Sequence, residues 1–340
     1  MLKPLLIFST MMMLVGCAEQ PTDVHEEYRH RLAKFVSIAP TSDVALESWP
    51  QFDYSEVAPS TTISLIQLGQ LNHCQLAGHI ASHNNQLGKV ATPSELFKYH
   101  IRFIQLVEPC LKHPKTIHLN ADLKQALADA RTQKVHMASV YFNNILAREP
   151  ELTRMTTLSA SQLGFEEQAG KVQSQEALEL LAQIADNIEA ENFNAIDPVE
   201  LTSALSSLNN NDYVRKLLTS TRAHIALNNA LTLALEDINI SENICPPNRA
   251  NSDTVILHNI FNMFYIKQLQ PYQAHLSGDL QRLTPLLARI WQFMPDTDNP
   301  KTRVFGSIQR TSLLQQLKQA SKNHVLWWQN FYKQCDIKPV

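Results

Sequence analysis

Glycine is scarce in this chain: 8 of 340 residues, where an average protein carries about 7%. Hairpin-rich β folds place glycine at the positive-φ positions of their turns. Phosphate-cradling loops need it where backbone must approach closely. A chain with so little glycine, rich in Leu, Ala and Gln, reads as mostly helical. The common catalytic signatures are missing too. There is no G-x-S-x-G, no G-x-x-x-x-G-K-[ST], no G-x-G-x-x-G, no H-E-x-x-H and no C-x-x-C. Catalytic groups are assembled in space, so this lowers the odds of an enzyme without excluding one. A basic excess is missing as well: 29 Lys and Arg face 32 Asp and Glu, a net charge of −3. A nucleic-acid binder would show a basic stripe, so no nucleic-acid partner is expected. Hydrophobic residues make up 44%, enough for a sizeable core and too many for global disorder.

What is present begins at the first residue, in MLKPLLIFSTMMMLVGCAEQPTD. Lys3 supplies a short positive region, and Leu5 to Val15 is almost uninterrupted apolar sequence. That length suits a signal peptide and falls short of the roughly 20 residues that span a bilayer. Gly16 offers the small residue that a signal peptidase accepts. Leu14-Val15-Gly16-Cys17 resembles a bacterial lipobox, in which Cys17 becomes the mature N-terminus and its thiol carries a diacylglycerol. Several acyl chains, at about 0.8 kcal/mol per buried CH₂, make a durable anchor. Ala18 follows where an Asp would signal retention. By analogy with Gram-negative lipoprotein sorting, the expected address is the outer membrane, periplasmic face, with the lipid anchor as the membrane contact. No later apolar run reaches membrane-spanning length. The expected layout is a signal peptide over 1–16, a lipidated Cys17 and tether over 17–26, and one helical domain over 27–340. A division into two subdomains would fall near 240–252.

Helical periodicity covers most of the rest. Residues 27–36 read as a first helix. Residues 37–60, with Pro40, Pro50 and Pro59, read as an extended connection. Further helices are expected near 61–87, 93–112, 120–148, 174–190, 198–208, 211–236, 253–270, 272–293 and 305–333. In the helix near 174–190, Ala177, Leu180, Leu181, Ile184 and Ile188 fall on one face. Thr92-Pro93-Ser94-Glu95 and Asp197-Pro198-Val199-Glu200 each set a capping side chain before a proline at the first helical position. Pro271 should break or kink the chain between two helices. The fold class is therefore all-α, a bundle of about nine helices.

Thirteen histidines invite a metal reading. His79 and His83 stand four apart on one helical face, a spacing that can present two imidazoles to zinc. No Asp or Glu lies between Gln70 and Thr92 to complete the site, so a solvated or partly buried histidine pair is the simpler reading. No metal and no cofactor is expected. PDTDNP (295–300) lacks the Gly and terminal Glu of a calcium loop and reads as a proline-bounded turn. The aromatic stripes FNMFY (261–265) and WWQNFY (327–332) read as core, with a contact surface for a partner or lipid as the alternative.

After Cys17, four cysteines remain, an even number for an oxidising periplasm. Three pairings are open to sequence, and geometry selects between them. With one helix ending at Leu87 and the next starting at Pro93, Cys74 precedes the corner and Cys110 follows it. Their mismatch of about 6 Å, at 1.5 Å per residue, is within reach of a modest tilt. The expected disulfides are Cys74–Cys110 and Cys245–Cys335, the second tying the Pro246-Pro247 connection to the C-terminal end.

The segment CQLAGHIASHNNQLGKVATPSELFKYH (74–100) carries a resemblance. Its Asn84, Leu87-Gly88-Lys89, Pro93-Ser94, Leu96 and Tyr99 resemble the pattern of the DUF3080 family of uncharacterised proteobacterial lipoproteins. Tyr28, Arg31-Leu32-Ala33, Cys110-Leu111 and Cys245 fit the same pattern. At His83-Asn84-Asn85 the chain departs from the family's Arg-Asn-Ser. The resemblance implies no known activity. Physically the segment reads as a helix–loop–helix corner in which Gly88 ends one helix in the left-handed conformation. His83, Asn84, Gly88, Lys89 and Ser94 are its candidate ligand or partner residues, with capping as the plainer role. The expected function is a non-enzymatic interaction or assembly module of the cell envelope with an envelope protein as partner. The alternative is a small-molecule or envelope-glycan binding or hydrolytic protein with an interhelical pocket.

Overall fold

The computed structural model describes residues 20–38, 45–57, 63–84, 91–246 and 250–338. Cys17, Gly88 and Lys89 lie outside the described residues. The chain is all-α among those described, with one isolated antiparallel bridge between Ser307 and Arg310. No described helix is long and apolar enough to cross a membrane.

Helix α1 runs over Pro21–Leu32, starting inside the expected tether because Pro21 takes the first helical position and Gln20 and Asp23 cap reciprocally. A short α2 (Leu65–Gly69) and α3 (Gln75–His83) replace the single helix expected over 61–87. The chain turns at Leu71 to Cys74, and Cys74 becomes the N-cap of α3. Helix α4 (Pro93–Leu111) carries Pro109 inside its last turn, and a short α5 (Pro114–Ile117) follows. The helix expected over 120–148 divides at Met137 into α6 (Ala121–His136) and α7 (Ala138–Arg148). Then come α8 (Pro150–Met155), α9 (Lys171–Glu189) and a single 3₁₀ turn at Phe193–Ala195. Helix α10 (Pro198–Leu208) starts where the Asp197-Pro198 signal places it, with the Asp197 carboxylate accepting from Val199 N–H at 2.8 Å. Helix α11 (Tyr213–Glu236) and a short α12 (Ile240–Asn243) lead to the 247–249 connection.

Pro271 does not break the chain. Helix α13 (Ser252–Ile260) continues through a π-helical stretch, Phe261–Leu269, into α14 (Gln270–Ile290). Gln270 N–H donates to Tyr265 O, five residues back. The wider turn relaxes the ladder ahead of a ring that would otherwise press on the preceding turn. Helix α15 (Pro300–Phe305) ends at Gly306, and α16 (Leu313–Gln334) closes the fold.

The largest core gathers α4, α7, α9, α10, α14 and the first half of α11, and it includes Ala177, Leu181, Ile184 and Ile188 of the α9 face. Two satellite cores flank it. One joins α3, α4 and α6 through Leu76, Ile80, Phe103, Val107, Leu123 and Leu127. The other joins α1, the end of α11, the π stretch and α16 through Tyr28, Leu235, Phe261, Tyr265, Trp328 and Phe331. The aromatic stripes are thus core. Each satellite holds one disulfide of the expected pairing: Cys74–Cys110 with Cα atoms 5.4 Å apart, and Cys245–Cys335 at 5.6 Å. The first forms although α3 ends at His83 rather than Leu87, because Cys74 sits at the head of α3 and Cys110 at the tail of α4.

Candidate functional site

Helix α4 forms one wall of the site. Its start is fixed by Thr92, whose hydroxyl accepts from Glu95 N–H at 3.3 Å. Ser94 is buried, and its N–H donates to the Glu149 carboxylate at 2.7 Å. Glu149 thereby satisfies a donor that the first helical turn leaves without a partner. Of the corner residues expected from sequence, Ser94 therefore works as a buried structural group. Asn84 is the C-cap of α3, its N–H bonded to Ile80 O. Of the three corner residues that are described, His83 lines a cavity, Asn84 is exposed and Ser94 is buried.

Tyr99, one turn and a half into α4, organises its surroundings. The rings of His79 and His83 both stack on it, with centroids 4.7 and 3.7 Å away. His79 Nε2 donates to Tyr99 O at 2.9 Å. The i, i+4 pair thus shares a face, as the spacing implies, and that face is turned to an aromatic ring. Among the described residues, no group of three or more His, Cys, Asp or Glu is placed to hold a metal ion.

Behind Tyr99 stands a group that sequence reasoning missed. Lys134 of α6 lies over the Tyr99 and Phe103 rings, 5.3 and 5.0 Å from their centroids. Its ammonium donates to His100 Nδ1 at 2.8 Å. His100 in turn stacks on Tyr141 at 3.7 Å. Burial pushes Lys134 down to about 8. Burial, with the nearby Lys134 charge second, pushes His100 down to about 2. The imidazole is therefore neutral and a good acceptor for the ammonium. Nothing in the local sequence of α6 marks Lys134, since its setting comes entirely from α4 and α7.

Two adjoining cavities run along the exposed face of α4. One, about 710 Å³, is lined by His73, Gln105, His113 and the Cys74–Cys110 disulfide. The other, about 650 Å³, is lined by His79, His83, Lys98, Tyr99 and Val199. Arg102, Asp197 and Pro198 line both, so the two make one groove between α4 and the start of α10. Gln105 holds the far wall in place, donating to Phe193 O and Ile196 O at 2.8 and 2.9 Å. At one end the rings of His73 and His113 face each other 4.6 Å apart, and His73 Nε2 bonds Thr116 Oγ1 at 2.6 Å. Backbone, disulfide and stacked rings all hold the groove walls, which makes it a preformed binding surface.

Two other polar clusters are satisfied from within. Buried Asp279 receives Lys171 Nζ and His275 Nε2, each at 2.9 Å, together with Tyr213 and Arg282. Buried His324 accepts at Nε2 from the Tyr28 hydroxyl (2.9 Å) and the Trp328 indole (3.2 Å). Its proton therefore sits on Nδ1, facing Thr232 Oγ1 at 3.2 Å. Both clusters spend their hydrogen-bonding capacity on the fold.

A family model described as "Protein of unknown function (DUF3080)" matches residues 25–339. The chain belongs to the DUF3080 family. The match starts within α1 and runs past α16, so it takes in the groove, both disulfides and both satellite cores of this DUF3080 chain. No curated protein and no solved structure matches it.

Proposed function

We propose that this DUF3080 chain is a lipoprotein, anchored through Cys17 in the outer membrane and facing the periplasm, that works as a non-enzymatic envelope module by receiving a partner protein in the α4 groove. The groove is the observation that carries the reading. It is open, long and held by a disulfide-stapled corner. Its walls mix apolar surface with single polar groups, as docking surfaces do. The lipobox-like LVGC and two disulfides that suit an oxidising compartment support the address. The alternative is a small-molecule or glycan ligand in the same groove. It draws on the cations Lys98 and Arg102, which line the groove beside His79 and His83.

Site-specific photo-crosslinking in intact cells tests the proposal. Val199 lines the groove and is exposed; Leu233, on α11, is exposed and lines none of the cavities of the α4 groove. A photoreactive residue at 199 should give a discrete protein adduct, and one at 233 should not. The adduct should disappear with Cys17→Ser, which should also abolish labelling by a fatty-acid analogue. Equal adducts from both positions, or none from 199, would reject the groove as a protein-docking site. Continued fatty-acid labelling of Cys17→Ser would reject the anchor.

A further inference from the structure

We propose that Arg222, Arg303 and Arg310 form a binding site for a phosphate group, on a part of the fold away from the α4 groove. The three line one cavity of about 220 Å³ between α11, α15, the turn before α16 and the extended segment at residues 45–49. Ordinary ligand pockets run to about 300–1,000 Å³, so this one suits a single anionic group.

The backbone builds the site deliberately. Gly306 ends α15 at φ 88°. A Cβ there would stand 2.5 Å from Arg310 O, so only glycine fits the return. The next four residues close a tight turn, with Ser307 N–H donating to Arg310 O at 2.7 Å and Arg310 N–H to Ser307 O at 3.2 Å. Ser312 then caps α16. This return brings Arg310 back toward Arg303. Arg222 reaches the same cavity from α11, its guanidinium 4.4 Å above the Trp49 ring and donating to Glu47 O.

Among the described residues that line the cavity, three arginines meet one carboxylate residue, Glu47. Arg303 gives Nε and Nη2 to Asp298, both at 2.6 Å, which leaves Nη1 uncommitted. Neither Arg222 nor Arg310 forms an ion pair among the described residues; Asp298 and Glu47 are the carboxylates that act on them at longer range. Burial, and after it the neighbouring Arg303, push the Arg222 guanidinium down to about 10. The Asp279 cluster shows the contrast, where Lys171 and Arg282 both meet a buried carboxylate. Guanidinium donors match the oxygens of phosphate, and Arg310, the donors Arg222 does not give to Glu47 O, and Nη1 of Arg303 line one cavity. Ile308, at the tip of the same turn, is fully exposed.

Calorimetric titration of the detergent-solubilised full-length protein tests this, with ionic strength held constant by sodium chloride. The two probes are inorganic phosphate and glycerophosphoglycerol, a soluble phosphodiester headgroup. Saturable binding of at least one is expected. It should weaken about tenfold in Arg310→Ala, the loss of one charge-assisted contact, and fall similarly in Gly306→Ala, while Arg289→Ala binds as the parent does. Arg310 is exposed and forms no ion pair among the described residues, so its variant should keep the parent's melting temperature without ligand. Tighter binding of the diester marks a lipid headgroup; tighter binding of the free ion marks phosphate or a monoester. Lack of saturation with both probes, or equal affinity in the parent and Arg310→Ala, overturns the site.

Discussion

At the α3–α4 corner, the histidines are partly exposed and lie on an aromatic ring: His79 and His83 stack on Tyr99 at the edge of a groove. Around α16, His324 is fully buried, and its nitrogens face a tyrosine, an indole and a threonine. Both regions are satellite cores, and each is closed by one disulfide. The same residue type thus serves two ends. At the corner it shapes a surface that remains open to a ligand. Around α16 it resolves the hydrogen-bonding needs of buried Tyr28 and Trp328, which would otherwise cost about 1–3 kcal/mol for each unmet group. One satellite faces outward, and the other is sealed.

Removing the staples is the strongest way to test whether the two satellites are alike. In the chain-entropy model, Cys245–Cys335, closing a separation of 90 residues, contributes roughly 4.5 kcal/mol, and Cys74–Cys110 with a separation of 36 roughly 4 kcal/mol. The logarithm makes them nearly equal. A double alanine variant of either pair should lose about that much in urea unfolding. The Cys74/Cys110 variant should also lose the crosslink from position 199, since that disulfide lines the groove. A corner variant that unfolds yet still crosslinks would break the link between staple and groove.

Acid should separate groove-lining His83 from sealed His324; His100, pushed down to about 2 behind the groove, belongs with His324 in this respect. Burial, with Coulombic repulsion from His25 second, holds His324 down to about 3 in the folded state, against 6.5 when unfolded. His25 and His224, also buried, are shifted downward chiefly by burial. Above pH 6.5 these groups are neutral in both states and cost nothing. Between about 6.5 and 3 the unfolded chain takes up protons that folded His324 refuses. Stability therefore falls with falling pH, by about 1.4 kcal/mol per unit for each fully refusing histidine. His324→Gln, which keeps an acceptor for Tyr28 and Trp328, should reduce that slope by about one proton. His83→Gln should change it much less, because His83 is only partly buried. Urea titrations from pH 4 to 7 measure both slopes; equal changes would erase the distinction between the groove-lining and the sealed histidine.

The sequence makes local features legible and leaves assembled ones hidden. The N-caps at Thr92-Pro93 and Asp197-Pro198 appear where read, because capping depends on neighbours within one turn. The disulfide pairing was open to helix-corner geometry, and the α9 stripe to periodicity. The break at residues 70–74 was not legible: the apolar pattern of 61–87 continues across it, and the disulfide at Cys74 fixes where α3 starts. Pro271 misleads because a π-turn can absorb a proline that an α-turn cannot. The groove and the arginine cavity draw on residues far apart in the chain, Tyr99 with Val199, and Arg222 with Arg310. No local pattern announces such meetings.

Lys134 gives the smallest expected change in stability and the sharpest probe of the open end. Its folded pKa of about 8 lies below the ordinary 10.5, because burial disfavours the charged form. The unfolded chain therefore holds a proton that the folded chain has released between pH 8 and 10.5. Stability contributed by this group rises with pH across that window and is flat below about 8. Lys134→Met keeps the apolar stem over Tyr99 and Phe103 and removes the buried charge, which favours the variant. It also leaves His100 Nδ1 without its donor, which costs about 1–2 kcal/mol. The two effects oppose each other, so unfolding free energy at pH 7 should move by less than about 1 kcal/mol. The diagnostic is the slope: parent stability should climb from pH 8 to 10 relative to Lys134→Met. Parallel curves for the two proteins would mean that Lys134 is solvated, and that Tyr99 is backed by an ordinary surface cation.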